Sequence, residues 1–210
     1  MGYFARAIEQ KSGSVTNSLE LFREIYGGRA SKAGPVVTLE SAFRVAAFYA
    51  CVRVISQDIA KVPFKVYRES EVDGLTSIKP ARDHRLYDLL TVAPNDWTTS
   101  FEFRESQAIH AALGNSYAFL NRTLSGISEM ILLNPGKVQK KQSPDYRIVY
   151  EVTGESGAVQ TFPAEAIWHL RGPSWDGLLG MDIMNLAREA LGLAIATEES
   201  HSKLHAKGVR

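Results

Sequence analysis

The chain has 210 residues, of which 45% are hydrophobic and 22% charged, and its formal net charge is +1. This length and apolar content are sufficient for one domain with a buried core. The near-neutral charge argues against a protein that coats nucleic acid through general positive charge. No apolar run approaches the roughly 18 residues that cross a bilayer, so we expect a soluble, intracellular chain.

The first segment, residues 1–37, is rich in glycine, serine and small side chains. Such a composition offers little apolar surface to bury. We therefore predict a flexible N-terminal arm over residues 1–37, with one short helix possible around residues 19–26.

A strong helix is predicted from Thr38 to Lys61, with Thr38 or Ser41 as its N-cap. The only cysteine, Cys51, lies among apolar neighbours in this segment, so we expect it to be a buried structural thiol. The residues expected on the buried face recur at spacings of three and four: Val45, Phe48, Val52, Ile55 and Ile59.

Pro63 is expected to end this helix and open a strand over residues 64–67, because apolar and polar side chains alternate there. A polar loop is predicted over residues 69–83, and a short helix from His84 to Leu90. The next helix should begin at the capping box of Thr99 and Glu102.

That helix is predicted to run through Leu113 and to stop at Gly114, since glycine adopts the left-handed conformation at little cost. From Ser116 the apolar period changes to two, which predicts an antiparallel meander of short strands separated by turns rich in glycine, proline and aspartate. The predicted strands cover residues 117–122, 130–133, 138–141, 147–152, 159–162 and 167–170.

A last helix is predicted from Asp182 to about Ala206, with an apolar stripe that contains several small residues. The fold class is therefore α+β: helices with an antiparallel strand meander and a long C-terminal helix. We predict three parts, namely the arm of residues 1–37, an α+β domain of residues 38–181, and the helix of residues 182–210.

The best candidate for a metal site is Glu198 with His201 and His205, which would share one face of a helix. No second Glu-x-x-His spacing accompanies it, and a solvated helix end explains the same residues. A metal-dependent hydrolase that uses these three residues is kept as an alternative function. His169 has no nucleophile or acid nearby in sequence and is expected to be a hydrogen-bonding histidine.

The segment Pro135-Gly136-Lys137 resembles a phosphate-binding loop only superficially, because Val138 stands where serine or threonine is required. No catalytic residue, cofactor site or metal site is predicted, and the expected protein is not an enzyme.

Two basic groups are weak candidates for contacts with nucleic acid. One surrounds a turn of the meander and the other lies along the last helix, and repetition of either group in an oligomer would add many weak phosphate contacts. The candidate residues are Lys137, Lys140, Lys141, Lys203, Lys207 and Arg210.

Short signatures follow one another along most of the chain. They are Val62-Pro63-Phe64, a Leu89-Leu90 pair before Pro94-Asn95, Gly114-Asn115-Ser116-Tyr117, Glu165-Ala166-Ile167-Trp168-His169, and Asp176-Gly177-Leu178-Leu179-Gly180. In this order and spacing the chain resembles the portal proteins of tailed bacteriophages, the head–tail connectors, over about residues 40–210. One departure is Met181-Asp182, where the family commonly has a Ser-Pro helix start.

The resemblance implies an N-terminal portion of a longer portal protein, with a wing-like domain and the start of a stem-like region at residues 182–210. It implies a ring at the portal vertex of the virion capsid, commonly of twelve subunits, which forms in the host cytoplasm and contacts no membrane. The ring would pass double-stranded DNA non-specifically during packaging and genome ejection. The implied partners are the terminase large subunit, the head–tail adaptor and the major capsid protein.

A ring requires a heterologous interface, in which one patch meets a different patch on the neighbouring copy. The aromatic residues Trp97, Phe101, Trp168 and Trp175 are candidates for such patches, with core packing as the alternative role. Another non-portal virion assembly protein is a further alternative function.

Overall fold

The computed structural model describes residues 29–72, 75–124 and 126–208. None of the helices in these ranges combines the length and the hydropathy that a membrane span requires. The chain divides into two compact units. The first unit takes Met1–Val54, Ala112–Gly114 and Arg171–Arg210, and the second takes Ile55–Ala111 and Asn115–Leu170.

The helices are α1 Leu39–Arg44, α2 Ala46–Lys61, α3 Arg85–Thr91, α4 Ser100–Leu113, α5 Ile183–Leu186 and α6 Arg188–Ala206. The prediction of a single first helix was wrong, since the backbone at Val45 is extended (φ −70°, ψ 107°) and separates α1 from α2. The last helix is likewise divided at Ala187, where ψ is 0°. Two short 3-10 helices cover Pro135–Lys137 and Ala164–Ala166.

The strands are β1 Arg29–Ala30, β2 Val36–Val37, β3 Tyr67–Val72, β4 Leu75–Pro80, β5 Asn115–Thr123, β6 Gly126–Leu133, β7 Val138–Gln142, β8 Ile148–Thr153, β9 Val159–Pro163 and β10 Ile167–Arg171. Two sheets have three strands each, in the orders β10-β5-β6 and β7-β8-β9, and β1-β2 and β3-β4 are two-stranded. The strand pairs β5-β6, β7-β8 and β8-β9 are antiparallel, which confirms the predicted α+β class with antiparallel sheets.

Residues 29–37, which were assigned to the N-terminal arm, contribute β1 and β2, and Val37 is buried. The short helix expected around residues 19–26 lies outside the described residues. The division of the chain into arm, domain and terminal helix stays a prediction.

The sequence predicted Thr38 or Ser41 as the N-cap, and the structure has Thr38 as the cap of α1, in a reciprocal capping box with Ser41. The buried face of α2 was predicted only in part. Val52 is 8% exposed, but Ile55 is 51% and Ile59 42% exposed, and Cys51 is exposed rather than buried. The reason is that α2 buries an edge at spacings of four, through Val52, Ser56 and Ala60, which leaves the adjacent apolar edge in solvent.

The predicted strand over residues 64–67 was also wrong. The extended chain first pairs at Tyr67, and residues 69–83, expected to be a loop, contain most of the β3-β4 hairpin. Polar and apolar residues do not alternate along this hairpin, because its described side chains are nearly all exposed, and the pattern therefore contains no strand signal.

The core of the second unit is formed by Phe103 of α4, Ala118 of β5 and Met130 of β6. Trp168 packs against this cluster, with its ring centroid 6.3 Å from that of Phe103. Burial of these side chains stabilises the pairing of helix with sheet, at roughly 25 cal/mol for each Å² of apolar surface removed from water.

Arg104 holds the ends of two helices in the second unit. Its guanidinium donates two hydrogen bonds to the carbonyl oxygen of Ala60, at 2.8 and 3.0 Å, and one of 2.9 Å to that of Leu90. These oxygens belong to the last turns of α2 and α3, where backbone carbonyls lack partners within the helix. Burial lowers the pKa of Arg104.

Helix α4 begins and ends as predicted. The backbone N–H of Thr99 donates to Glu102 at 2.8 Å and the N–H of Glu102 donates to the Thr99 hydroxyl at 3.3 Å, which completes the capping box. The backbone N–H and the hydroxyl of Thr99 both donate to the Glu102 carboxylate, and these two bonds lower the pKa of Glu102. The helix stops at Gly114, whose φ of +145° favours glycine.

Candidate functional site

The candidate metal ligands Glu198, His201 and His205 all lie on α6 and are exposed. Within the described ranges, no group of three or more histidine, cysteine, aspartate or glutamate side chains is arranged to hold a metal ion. The geometry therefore gives the hydrolase alternative no support, and the helix end explains these residues as a solvated surface.

His169 joins three strands of the second unit. Its Nε2 lies 3.0 Å from Oδ1 of Asn115 in β5, and its Nδ1 lies 3.1 Å from the Tyr150 hydroxyl in β8. Because an amide oxygen only accepts, Nε2 donates, and in the neutral ring Nδ1 accepts from Tyr150. The ring also stacks on Tyr117 at 4.5 Å. This is the hydrogen-bonding role expected for His169.

His110 is a buried histidine with a lowered pKa. It lies in α4 with 8% of its surface exposed, and burial lowers its pKa from 6.5 to about 4. The buried neutral form is thus favoured at neutral pH. No sequence pattern singled out this residue, since its burial results from the packing of α4 in the second unit.

The lysines of the meander do not share one face, because they lie in different elements or at consecutive positions of a strand. Lys137 ends a 3-10 helix, whereas Lys140 and Lys141 are consecutive in β7 and therefore project from opposite faces. Lys141 also forms an ion pair of 2.7 Å with Glu151. These three lysines do not form one continuous phosphate-binding face.

The basic group of the last helix has a different setting. Lys203 lies in the final turn of α6 and Lys207 is its C-cap, and both are exposed. Every described residue from Thr197 to Gly208 is exposed, so this half of the helix is surrounded by solvent. We call Thr197–Gly208 the outer half of α6. Arg210 lies outside the described residues.

The candidate aromatic residues divide between surface and core. Trp97, Phe101 and Trp175 are 53%, 38% and 93% exposed, whereas Trp168 packs against the core of the second unit. Trp175 lies in a turn that hydrogen bonds to the neighbouring Asp176 side chain stabilise. The Asp176 carboxylate accepts hydrogen bonds from the N–H groups of Leu178 and Leu179, which lower its pKa.

The same turn explains the glycines of the Asp-Gly-Leu-Leu-Gly signature. Gly177 has a φ of +71°. A Cβ on Gly180 would overlap the carbonyl oxygen of Gly114, and Gly172 donates a 2.8 Å hydrogen bond to that oxygen. Close approach of backbone to backbone therefore requires glycine at residue 180. Asp182 then caps α5 by accepting from the N–H of Asn185.

Sequence reasoning missed two apolar surfaces. One is the row of Cys51, Ile55, Ile59 and Val62 along α2 and its end, which we call the α2 stripe; all four residues are exposed. The other is the hairpin β3-β4, in which Tyr67 is 55% and Ile78 65% exposed. The i, i+4 spacing of the stripe was visible in sequence, but spacing alone does not say which of two adjacent apolar edges is buried.

Comparison with known proteins gives one consistent result. A family model described as "Phage portal protein" matches residues 46–210. The portal protein of Enterobacteria phage HK97 is 25% identical in an alignment of 200 residues, and the match covers 90% of this chain and 46% of that protein. Protein BeeE of Escherichia coli strain K12 is 29% identical over 139 residues, which are 65% of this chain and 85% of that protein.

Solved structures show the same fold. A chain in the neck of an empty gene transfer agent particle, computed with C6 symmetry, has a TM-score of 0.62 at 19% identity, over 94% of this chain and 53% of that one. A chain in the neck of the native particle, computed with C12 symmetry, has a TM-score of 0.59 at 18% identity, over 98% of this chain and 51% of that one. The chain thus spans about half the length of the HK97 portal protein and of these two solved chains.

Proposed function

The chain belongs to the phage portal protein family, and from this premise we propose that it is a structural ring subunit of a portal at a virion vertex. The ring would form the conduit through which double-stranded DNA enters and leaves the capsid. The observation that carries the proposal is the family match over residues 46–210, which includes both three-stranded sheets and α6.

The work proposed for this protein is architectural and involves no bond making. A ring is held together by heterologous contacts, in which two different patches of each copy meet. The exposed α2 stripe, the β3-β4 hairpin and Trp175 supply apolar surface for such contacts. The twelvefold symmetry used for the native gene transfer agent neck supports a ring of twelve in the whole protein.

The outer half of α6 is the part proposed to approach DNA. Lys203 and Lys207 are exposed there, whereas Lys141 is engaged by Glu151. Two weak, sequence-independent contacts in each copy become many in a ring, and contacts of this kind suit a duplex that must slide. The terminase large subunit, the head–tail adaptor and the major capsid protein are the proposed partners, and assembly would begin in the host cytoplasm.

The test is the mass of the purified 210-residue chain in solution, combined with negative-stain imaging of the same sample. Closed rings with a central opening are the expected result. A chain that stays monomeric at every concentration reached would overturn the proposal that this portion forms rings by itself.

A further inference from the structure

The α2 stripe is an apolar surface on a regular helix. Cys51, Ile55 and Ile59 repeat at spacings of four on one face of α2, and Val62 follows three residues later with 54% of its surface exposed. Asp58 lies beside the stripe and forms an ion pair of 3.1 Å with Lys61. The stripe itself therefore carries no charge with which to attract phosphate or another ion.

The β3-β4 hairpin presents a second surface. Its register pairs Tyr67 with Pro80, Glu69 with Ile78, and Glu71 with Thr76, so these six residues share one face. Apart from the half-buried Ser77, its residues outside 72–74, whose side chains are not described, are all exposed. Two carboxylates border the apolar residues, which disfavours DNA as the molecule that covers this face.

An isolated two-stranded hairpin is at best marginally stable in water and needs a further strand or a helix to pack on. Among the residues that the structure describes, no third strand pairs with the β3-β4 hairpin. Ile55, Ile59 and Val62 belong to the same unit as the hairpin, yet both surfaces remain exposed within that unit. An apolar helix face would support the hairpin, and α2 displays such a face in the α2 stripe.

We propose that the β3-β4 hairpin of one copy packs its Tyr67 and Ile78 face on the α2 stripe of a second copy of this chain. The contact is heterologous, so each copy offers a hairpin to one neighbour and a stripe to the other, as a ring requires. A symmetric contact of stripe on stripe would leave both hairpins uncovered. The proposal rests on the proposed ring function and assigns its interface.

Cys51 supplies a native reporter at the stripe, because it is the only cysteine in the chain. In the variant Ile78→Cys, each copy carries one thiol on the stripe and one on the hairpin face. Mild oxidation with diamide should then link neighbouring copies through disulfides in series. The expected result on a non-reducing gel is a ladder that extends beyond the dimer and disappears on reduction.

Two controls make the ladder specific. Cys51→Ser combined with Ile78→Cys leaves one thiol in each copy, on the hairpin, and removes its partner from the neighbouring stripe, so it should give no disulfide product. Leu124→Cys places a thiol at a residue that is fully exposed in the turn after β5, and should give no ladder. A disulfide dimer of the variant without Cys51 would show hairpin meeting hairpin and would overturn the proposed contact. A ladder equally strong with Leu124→Cys would overturn it as well.

Imaging of the parent chain separates this proposal from the ring function. Rings without an Ile78→Cys ladder would overturn the hairpin contact and leave the ring standing. A ladder without closed rings would support the contact and contradict ring closure by this portion. Absence of both would overturn both proposals.

A charge substitution provides a second measurement. Ile59→Glu places a carboxylate on the stripe at a residue that is 42% exposed, so the fold of one copy should tolerate it. Burial of that charge between copies is costly, and we expect self-association to weaken by at least about tenfold. Leu124→Glu is the matched control and should leave self-association unchanged. Equal association of Ile59→Glu and the parent chain would contradict the proposal.

Discussion

In the core of the second unit, Phe103, Ala118 and Met130 are 4%, 0% and 2% exposed, whereas every described residue in the outer half of α6 is exposed. The two regions are ordered by different means. Side chains from a helix and a sheet hold the first within one copy. The second depends on hydrogen bonds along one helix, and a helix of this length without tertiary contacts is marginal in water.

This contrast suggests how the work is divided between a single copy and an assembly. The core of the second unit should be stable in a monomer. The α2 stripe and the β3-β4 hairpin should gain stability when copies associate. Their exposed apolar residues are then best understood as surfaces reserved for contacts between subunits.

The largest expected effect is a cavity in the core. Phe103→Ala should lower the free energy of unfolding by about 3–5 kcal/mol, because it removes a ring that packs on Ala118, Met130 and Trp168. Urea denaturation followed by tryptophan fluorescence measures the change. Leu124→Ala, at a fully exposed residue, is the control and should be nearly neutral. Similar losses for the two variants would contradict the assignment of the core.

A pH titration tests the burial of His110 in α4. Its pKa in the folded chain is lowered to about 4 from the ordinary 6.5, so the unfolded chain binds a proton more readily. This contribution to stability is fully present above pH 6.5 and is lost as the pH falls toward 4. The expected loss is about 3 kcal/mol, at 1.36 kcal/mol for each pH unit.

The measurement is the free energy of unfolding by urea at pH 7 and at pH 4.5. His110→Gln removes the titrating group, and its stability should fall less over this interval, even if it is lower at pH 7. The same slope in both proteins would show that His110 is not the group responsible.

Two leucines of α6 allow a buried and an exposed position to be compared within one helix. Leu191 is 6% exposed and Leu204 is 60% exposed. We expect Leu191→Ala to cost about 2–4 kcal/mol in the monomer and Leu204→Ala less than about 0.5 kcal/mol. Thermal unfolding by circular dichroism measures both. A large loss for Leu204→Ala in a monomer would mean that the outer half of α6 packs on the rest of the chain.

Much of the fold could be predicted where chemistry is local. The capping boxes at Thr38 and Thr99, the stop at Gly114 and the cap at Asp182 each depend on residues within a few places in sequence. The strands of both three-stranded sheets were also predicted, because turn residues separate them and burial alternates in a strand such as β8.

The errors occurred where contacts between residues far apart in sequence determine the structure. The break at Val45 divides a continuous helical pattern, and the burial of Ser56 and Ala60 rather than Ile55 and Ile59 depends on what α2 contacts. The exposed hairpin gave no alternation to detect. For the site, sequence singled out the basic residues, but the opposite faces of Lys140 and Lys141 became evident only from the strand.

The smallest effect concerns DNA. Replacing Lys203 and Lys207 together by glutamine should leave stability unchanged and reduce the salt dependence of binding to double-stranded DNA by roughly two counterions for each contacting copy. Fluorescence anisotropy over a series of salt concentrations measures the slope. Lys141→Gln is the control, since Glu151 already pairs with that ammonium. If Lys141→Gln reduced the salt dependence of DNA binding more than the double variant did, the DNA contact would lie in the meander and not on α6.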